Sequence, residues 1–295
     1  MISILIPTYN FDIFPLVSSL HEQAKKLTIE YEIICLDDAS KKYHIENQKI
    51  NTLDHCSYTI LEKNIGRSAI RNLLAKKARF ENLLFLDADV IPIEEDFVSN
   101  YVSQINSEEK VVYGGIRYQK DKPGKDQILR WVYGNSREAL PIEQRQKNPY
   151  LAFLTLNFMI KKSVFKTVSF NEEIPNLRHE DTLFSYDLKK AGIKVVHIEN
   201  PVYHLGLESS KVFLRKSEEA LIGLDYLINN KLIVPEYVKL SEYYKTLNKY
   251  GIKGLYLFFY KTFKSAFLNN LLGKNPSLFA FDLFRLGYFC DLKTK

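Results

Sequence analysis

The sequence predicts an α/β fold in which a mainly parallel sheet is flanked by helices. Over residues 1–90, short apolar runs alternate with stretches of helical periodicity, which is the pattern of parallel strands joined by crossover helices. A cluster of polar residues follows each of these runs, at 7–10, 37–38, 64–67 and 87–89. Because ligands of such sheets bind outside the carboxyl ends of the strands, we expect these clusters to form one site.

The individual elements follow from local periodicity and from turn residues. Apolar runs predict strands at 2–6, 31–36, 58–61, 83–86, 111–113, 153–160 and 195–198. Spaced apolar positions predict helices at 13–27, 68–79, 128–140, 162–167 and 178–191. Residues 141–150 are polar and predict a loop that could act as a mobile lid. Periodicity is helical throughout from about 209, so we expect two domains, 1–207 and a helical 208–295.

The composition is that of an ordinary globular protein, with 295 residues, 46% of them hydrophobic and 26% charged. The net charge of +6 suits an anionic ligand or surface without identifying either. The cysteines show no metal-binding spacing and no disulfide framework, which favours a reducing compartment. The chain starts with a strand instead of a basic leader, and no apolar run approaches the roughly 20 residues of a spanning helix. We therefore expect a cytoplasmic protein.

The most informative stretch is the strand at 83–86, which runs directly into Asp87 and Asp89. An unpaired carboxylate is costly inside a buried strand, so both residues should lie where the strand leaves the sheet. If the chain stays extended there, the two side chains point to the same side and repel each other unless a cation or a donor lies between them. The alternative is an Asp-rich turn that ends at Pro92 and caps the next helix.

Five motifs occur in an order that resembles glycosyltransferase family 2. They are Ile6-Pro7-Thr8-Tyr9-Asn10, Asp37-Asp38-Ala39-Ser40, the stretch from Asn64 to Asn72, Asp87-Ala88-Asp89 and His179-Glu180-Asp181. Each motif is weak alone, and the specificity lies in finding all five in order within residues 1–205. The resemblance implies the GT-A fold, a Rossmann-like and mainly parallel sheet flanked by helices, with residues 1–207 as the catalytic domain. The dinucleotide-binding and P-loop motifs, GxGxxG and GxxxxGK[ST], are absent.

The resemblance also implies a nucleotide-sugar site. Tyr9 would stack on uracil and Asp38 would accept from its imide N–H, the alternatives being a half-buried loop aromatic and a turn former. Arg67 and Arg71 lie one helical turn apart and suit a diphosphate, although a solvated helix face is the alternative for at least one of them. Asp37 is expected to bind nearby backbone N–H groups instead. The other implied nucleotide-sugar residues are Pro7, Thr8, Asn64, Asp87 and Ala88.

The resemblance assigns the metal and the chemistry to the remaining motifs. Asp89 would bind Mn²⁺ or Mg²⁺ bridging the diphosphate, since oxygen ligands suit either cation. A late histidine is a frequent additional ligand in GT-A enzymes, and His204 lies in the corresponding part of the chain, although a packed or surface histidine is the alternative. Asp181 would be the general base of one inverting displacement, with Glu180 and His179 on the acceptor side. The alternative is a set of ordinary acids in the first turn of a helix.

The helical region combines aromatic and cationic side chains, chiefly within residues 250–290. One interpretation is a set of interfacial helices on an anionic membrane surface, near a lipid-linked acceptor. The alternative is packing on the catalytic domain or within a homo-oligomer. Because no recognition motif accompanies the aromatic residues, we expect no nucleic acid partner.

The sequence thus predicts a metal-dependent transferase that moves a sugar from a UDP-linked or similar donor to a hydroxyl of a glycan or lipid-linked acceptor. Such a reaction belongs to the synthesis of cell-surface polysaccharides or glycoconjugates. The alternative is a non-catalytic nucleotide-sugar-binding protein of the same fold. A nucleotidyltransferase is disfavoured, since Pro-Thr-Tyr-Asn-Phe-Asp stands where a Gly-rich basic loop would be expected.

Overall fold

A computed structural model describes residues 1–294, and the chain divides into two compact units. The first unit comprises residues 1–118, 138–173 and 180–206. The second comprises residues 119–137 and 174–179 together with the helical region from 207 onward. The sequence predicted one boundary near 207, whereas the units interleave along the chain. The roles assigned to the two domains stay predictions.

The first unit contains a larger and a smaller sheet. Its strands are β1 (Ile2–Thr8), β2 (Tyr31–Asp37), β3 (Cys56–Ile60), β4 (Asn82–Leu86), β5 (Val90–Pro92), β6 (Lys110–Tyr113), β7 (Ile116–Arg117), β8 (Asn157–Lys161), β9 (Lys194–His197) and β10 (Val202–His204). The larger sheet has the order β3-β2-β1-β4-β8-β6-β9. Its pairs are parallel except those of β8, which runs antiparallel to β4 and β6. The predicted mainly parallel α/β sheet is confirmed.

Helices connect and follow these strands. They are α1 (Phe14–Lys25), α2 (His44–Gln48), α3 (Arg67–Lys77), α4 (Phe97–Val102), α5 (Ile128–Tyr133), α6 (Ile142–Arg145), α7 (Lys162–Thr167), α8 (Glu180–Lys190), α9 (Ser210–Asn229), α10 (Lys239–Lys249), α11 (Lys253–Leu271) and α12 (Leu278–Leu292).

The alternation of side chains along β1 explains the layers of the first unit. Ile4 packs in one buried cluster together with Val17 of α1, whereas Leu5 packs in the other together with Ile70 and Leu74 of α3. Successive residues of a strand point to opposite faces, so β1 is apolar on both. The sheet is consequently covered by helices on both faces.

The register of the parallel strands brings their carboxyl ends to one edge of the larger sheet. Thr8 at the end of β1 pairs with Asp37 of β2, which in turn pairs with Ile60 at the end of β3. Leu5 pairs with Phe85, one residue before the end of β4. The polar clusters that follow these strands therefore lie along the same edge, as predicted.

The smaller sheet, of order β5-β10-β7, was not predicted. β10 runs antiparallel to β5, with His204 opposite Val90, and parallel to β7. This pairing brings His204 beside the chain that leaves Asp89. The strands of this sheet are only two or three residues long, too short to produce a periodic pattern in the sequence.

The second unit is helical and has an aromatic core of its own. Tyr260 of α11 packs with Phe281 and Phe284 of α12 and with Phe213 of α9. Serine side chains cap the N-termini of α9 and α12, where Ser209 and Ser277 accept from backbone N–H groups. Within residues 1–294, no helix has both the length and the apolar character that crossing a membrane requires.

Several predicted elements are shorter than expected. The helix predicted at 128–140 ends at Tyr133 and continues as a π-helical turn at Gly134–Glu138, and the strand predicted at 153–160 begins only at Asn157. The predicted lid at 141–150 contains α6 and is anchored by the buried Arg145. The Arg145 guanidinium donates to the carbonyls of Leu140 at 3.1 Å and Ile198 at 3.0 Å. A buried charge requires such partners, so this segment is fixed to the first unit.

Candidate active site

The loops after β1, β2 and β3 are tied together through Asp38. The Asp38 backbone N–H donates to the Thr8 carbonyl at 2.9 Å, and the Asn64 side-chain amide donates to the Asp38 carbonyl at 3.0 Å. The Asp38 carboxylate accepts from the N–H groups of Ile65 at 2.7 Å and Gly66 at 3.1 Å. Asp38 therefore positions the loop that leads into α3, a role the sequence did not predict. Its contact with uracil stays a prediction.

Asp37 serves the structure, as predicted. Its side chain is buried and accepts from the Ser40 N–H at 2.6 Å and from the Tyr58 hydroxyl. Asn10 and Ala39, in the loops after β1 and β2, have positive φ values of 54° and 60°. Non-glycine residues in this region are typical of backbone held in a functional geometry.

The structure leaves the ring of Tyr9 accessible, with an exposed fraction of 53%. Pro7 is half-buried and Thr8 is buried, both at the end of β1, so their contact with a nucleotide stays a prediction. Ala88 is half-buried against the core of the first unit. A nucleobase could therefore stack on Tyr9 at the edge of the sheet.

Arg71 of α3 is buried and joins two acidic motifs that are distant in sequence. Its Nη2 lies 2.7 Å from Asp87 Oδ1, its Nη1 lies 3.8 Å from Glu180 Oε1, and its guanidinium stacks over Phe170 at 5.3 Å. Burial opposes the charged form, but Asp87 and Glu180 outweigh it and raise the pKa of Arg71 above its ordinary value. The arginine is therefore not on a solvated helix face.

Arg67, one turn earlier in α3, is the accessible member of the pair. Its side chain is 44% exposed, and its Nη1 lies 3.6 Å from Glu180 Oε1. Glu180 thus lies between two guanidinium groups at the start of α8. The structure brings Arg67, Arg71 and Glu180 together, as expected for residues of one site.

Asp181 follows Glu180 in the first turn of α8. Its Oδ1 accepts from the Thr182 N–H at 2.7 Å. Burial and, second to it, the negative charge of Glu180 raise the pKa of the Asp181 carboxyl from 3.8 to about 6. Since a carboxyl with a raised pKa holds a proton more strongly, Asp181 is suited to accept one near neutral pH.

The chain turns immediately after β4, so Asp87 and Asp89 do not act as a parallel pair on an extended strand. Asp87 is directed to Arg71, as described above, whereas Asp89 Oδ2 lies 3.4 Å from His204 Nε2. Burial raises the pKa of Asp87, and Arg71 opposes the shift. The turn thus separates the two carboxylates and gives each its own partner.

Asp89 and His204 form a small site in which Gly206 also takes part. The Leu205 N–H donates to the Asp89 carbonyl at 2.8 Å, which fixes β10 to the turn after β4. A Cβ atom at Gly206 would lie 2.5 Å from Asp89 Oδ2 and 3.3 Å from His204 Cε1. Only glycine therefore leaves room for the Asp89 carboxylate at this position.

The geometry of this pair fits a divalent cation. Two neighbouring ligands of an octahedral cation at about 2.1 Å lie about 3 Å apart, close to the observed 3.4 Å. Within the described residues, no group of three or more His, Cys, Asp and Glu side chains is placed to hold a metal. Asp89 and His204 would accordingly supply two ligands, which leaves positions for phosphate oxygens and water.

Three residues of this region were not found from the sequence. Gly206 lies against Asp89, the ring of Tyr118 lies 5.4 Å from that of His204, and Phe170 supports Arg71. No local pattern marks them, because each acts through a contact with a residue that is distant in sequence. His179, predicted on the acceptor side, belongs to the second unit, and its role stays a prediction.

Comparison with known proteins identifies the class and the family. The mannosyltransferase PcManGT from Pyrobaculum calidifontis, in complex with GDP-Man and Mn²⁺, superimposes with a TM-score of 0.53 at 14% identity, over 77% of this chain and 64% of its own. S. aureus TarS 1–349, in complex with UDP-GlcNAc, gives a TM-score of 0.50 at 19% identity, over 75% and 66%. The chain thus spans about two thirds of the length of these structures, and the likeness shows the GT-A fold.

Sequence comparison gives the family. A sequence model of the family described as glycosyl transferase family 2 matches residues 3–169, more than half of the chain. EpsH of Bacillus subtilis (strain 168), whose name assigns it to the glycosyltransferases, is 23% identical over 256 residues, or 84% of this chain and 73% of EpsH. The chain belongs to glycosyl transferase family 2, and its family assigns it to the enzymes that transfer glycosyl groups.

Proposed function

We propose that the protein is a metal-dependent, inverting glycosyltransferase that uses a nucleotide sugar, UDP-linked, as donor. The observation that carries the proposal is the contrast between two acidic sites of the first unit. Asp89 lies beside His204 in a geometry that fits a cation, whereas Asp181 has a pKa near 6, which fits a proton acceptor. Arg71 contacts Asp87, which lies near Asp89 in the sequence, and Glu180, which precedes Asp181.

The charge of the site supports a role for a cation. Four carboxylates, those of Asp87, Asp89, Glu180 and Asp181, stand against two guanidinium groups, so a negatively charged diphosphate would be repelled. Asp89 and His204 would hold Mn²⁺ or Mg²⁺, and the bound cation supplies positive charge for the departing nucleoside diphosphate.

The arginines offer hydrogen-bond donors to the same diphosphate. Among the described residues, Nε and Nη1 of Arg71 are buried and have no hydrogen-bond partner. Because Nη1 faces Glu180 at 3.8 Å, Arg71 would act on the diphosphate through its positive charge. The accessible Arg67 lies one turn away and could bind the diphosphate from the solvent side.

The oxygen of the acceptor hydroxyl attacks the anomeric carbon, and Asp181 takes the proton of that hydroxyl. The bond from that carbon to the diphosphate oxygen breaks on the opposite side, so the configuration inverts. A carboxyl with a pKa of about 6 is mostly ionised at neutral pH and is a stronger base than an ordinary aspartate. General base catalysis typically contributes about 10²–10⁴-fold in rate.

The donor and acceptor are inferred more broadly. The solved structures with the same fold hold GDP-Man and UDP-GlcNAc, both nucleoside diphosphate sugars, which supports a hexosyl or N-acetylhexosaminyl donor. We infer a glycan or lipid-linked acceptor, in the synthesis of cell-surface polysaccharides or glycoconjugates. The reduced cysteines and the composition support a cytoplasmic location.

The test is turnover of a panel of UDP- and GDP-sugars with Mn²⁺ by the wild type, Asp181→Asn and Asp187→Asn. Asp187 lies on α8 too, outside its first turn, and serves as the matched control. We expect metal-dependent release of nucleoside diphosphate from one donor, a loss of about 10²-fold or more in Asp181→Asn, and no change in Asp187→Asn. Binding of a nucleotide sugar without turnover across the panel would instead support a non-catalytic binding protein.

A further inference from the structure

One face of α11 in the second unit is apolar and exposed. It consists of Ile252, at the start of the helix, and Leu255, Phe258, Phe259 and Phe263, and we refer to it as the apolar face of α11. Leu255 and Phe258 have exposed fractions of 72% and 70%. Large apolar side chains this accessible, and contiguous on one helix, are typical of an interaction surface.

The spacing of these residues places them together. Positions 252, 255, 259 and 263 are three or four residues apart and so follow one side of the helix, with Phe258 beside them. The rings of Phe259 and Phe263 are in contact at 4.9 Å. The opposite side carries Tyr260 and Leu271, which are buried in the core of the second unit. The helix therefore has one apolar side that packs within its unit and a second whose side chains are 36–72% exposed.

The sequence around this face carries more positive than negative charge, although Lys245 pairs with Glu236 and Lys261 with Asp291. Between residues 243 and 281 the sequence contains no Asp or Glu. The same stretch contains Lys245, Lys249, Lys253, Lys261, Lys264 and Lys274. Lysines in the same segment as an apolar helix face attract anionic lipid headgroups.

We propose that the apolar face of α11 binds an anionic lipid surface, with the helix lying in the plane of the interface. Because no helix within residues 1–294 qualifies as a membrane span, the contact would be peripheral. A second copy of the chain fits less well, since a symmetric contact would bring two sets of lysines together. The proposal is independent of the reaction that the first unit performs.

The experiment is flotation of the full-length protein with vesicles of phosphatidylcholine alone or with about one quarter phosphatidylglycerol. The test variant is Leu255→Ser with Phe258→Ser, both so exposed that the fold should be kept. The matched control is Ile45→Ser, which removes an aliphatic side chain that is 80% exposed in the first unit. Thermal unfolding of all variants checks the fold.

We expect the wild type and Ile45→Ser to float with anionic vesicles and not with neutral ones, and to be released at about 0.5 M salt. The double variant should lose at least about tenfold in partitioning, since each side chain contributes a comparable factor when buried. The proposal is overturned if the wild type stays unbound, or if the double variant binds as well as the control. Light scattering tests the alternative of a dimer. The proposal is also overturned if the wild type forms a concentration-dependent dimer without binding vesicles and the double variant loses that dimer.

Discussion

At the scale of single residues, Arg71 contacts two of the four acidic groups of the candidate site. It binds Asp87 and stands next to Glu180, so these two carboxylates are neutralised within the protein. Asp89 instead lies beside the imidazole of His204, and Asp181 accepts from the Thr182 N–H. Replacing Arg71 would leave Asp87 without its ion-pair partner and Glu180 beside Arg67 alone, so we expect an effect on both stability and activity.

The raised pKa of Asp181 predicts the acid limb of the pH profile. The carboxyl must be ionised to act as a base, so kcat/KM should fall as the pH drops through about 6. The measurement is the initial rate of transfer between about pH 5 and pH 8 at saturating Mn²⁺. A limb near pH 4, the value of an ordinary aspartate, would show that Asp181 is not the group observed.

The same shift makes Asp181 costly for stability. A folded-state pKa above the unfolded value means that the folded protein binds the proton more tightly, so this group's contribution to stability declines as the pH rises from about 4 to about 6. Asp181→Asn should therefore raise the melting temperature more at pH 7.5 than at pH 4.5. An equal shift at both pH values would argue against a raised pKa.

Gly206 provides a test of the proposed metal site that leaves Asp89 and His204 in place. A Cβ in Gly206→Ala would lie 2.5 Å from Asp89 Oδ2 and should displace it, lowering Mn²⁺ affinity by about 10–100-fold. Mn²⁺ binding is measured by electron paramagnetic resonance. Gly124→Ala is the control, since a Cβ there meets no atom within 4 Å. Equal Mn²⁺ affinity in both variants would place the metal elsewhere.

At the scale of elements, helix α8 is preceded by two residues with a strained backbone conformation. Arg178 and His179, which directly precede the helix, have φ values of 68° and 70°. Two consecutive non-glycine residues in this region cost about 1–3 kcal/mol each and persist only where the surroundings impose them. Part of that constraint is Gly223 of α9, where a Cβ would lie 2.7 Å from the Leu177 carbonyl oxygen and 3.0 Å from that of Arg178.

Gly223→Ala should therefore displace the segment that leads into Asp181. We expect a fall of about tenfold or more in kcat with an unchanged Kd for UDP, because misplacement of a catalytic group by about 1 Å is costly. Gly254→Ala in α11 is the matched control, since a Cβ there meets no atom within 4 Å. If both variants keep wild-type kcat, the approach of α9 to this segment has no catalytic role.

Much of this architecture is predictable from the sequence. The alternation of β1, α1, β2, α3 and β4 produces strong local periodicity, and the polar clusters at the strand ends identify the edge that carries the site. The smaller sheet escaped prediction, since its strands are too short for a pattern and pair with strands distant in sequence, as Val202 does with Ile116 and with Pro92. For the same reason the sequence suggested His204 only by family resemblance, and could not show that it lies beside Asp89 or that Gly206 makes room for it.

At the scale of the whole molecule, the two units carry separate properties. The first unit holds the acidic and arginine residues of the site, and the second holds the aromatic helices and the apolar face of α11. Vesicle binding and donor turnover should therefore be lost independently, the first in Leu255→Ser with Phe258→Ser and the second in Asp181→Asn.

The proposed roles of Asp89 in metal binding and of Asp181 as the base are tested most directly by calorimetric titration of UDP. UDP is titrated with and without Mn²⁺ into the wild type, Asp89→Ala and Asp181→Asn. We predict that Mn²⁺ tightens UDP binding to the wild type and to Asp181→Asn, and that Asp89→Ala loses this tightening by at least about tenfold. Asp181→Asn should bind normally and still fail in transfer. Metal-dependent UDP binding that survives in Asp89→Ala, or that disappears in Asp181→Asn, would contradict the assignment of metal and base.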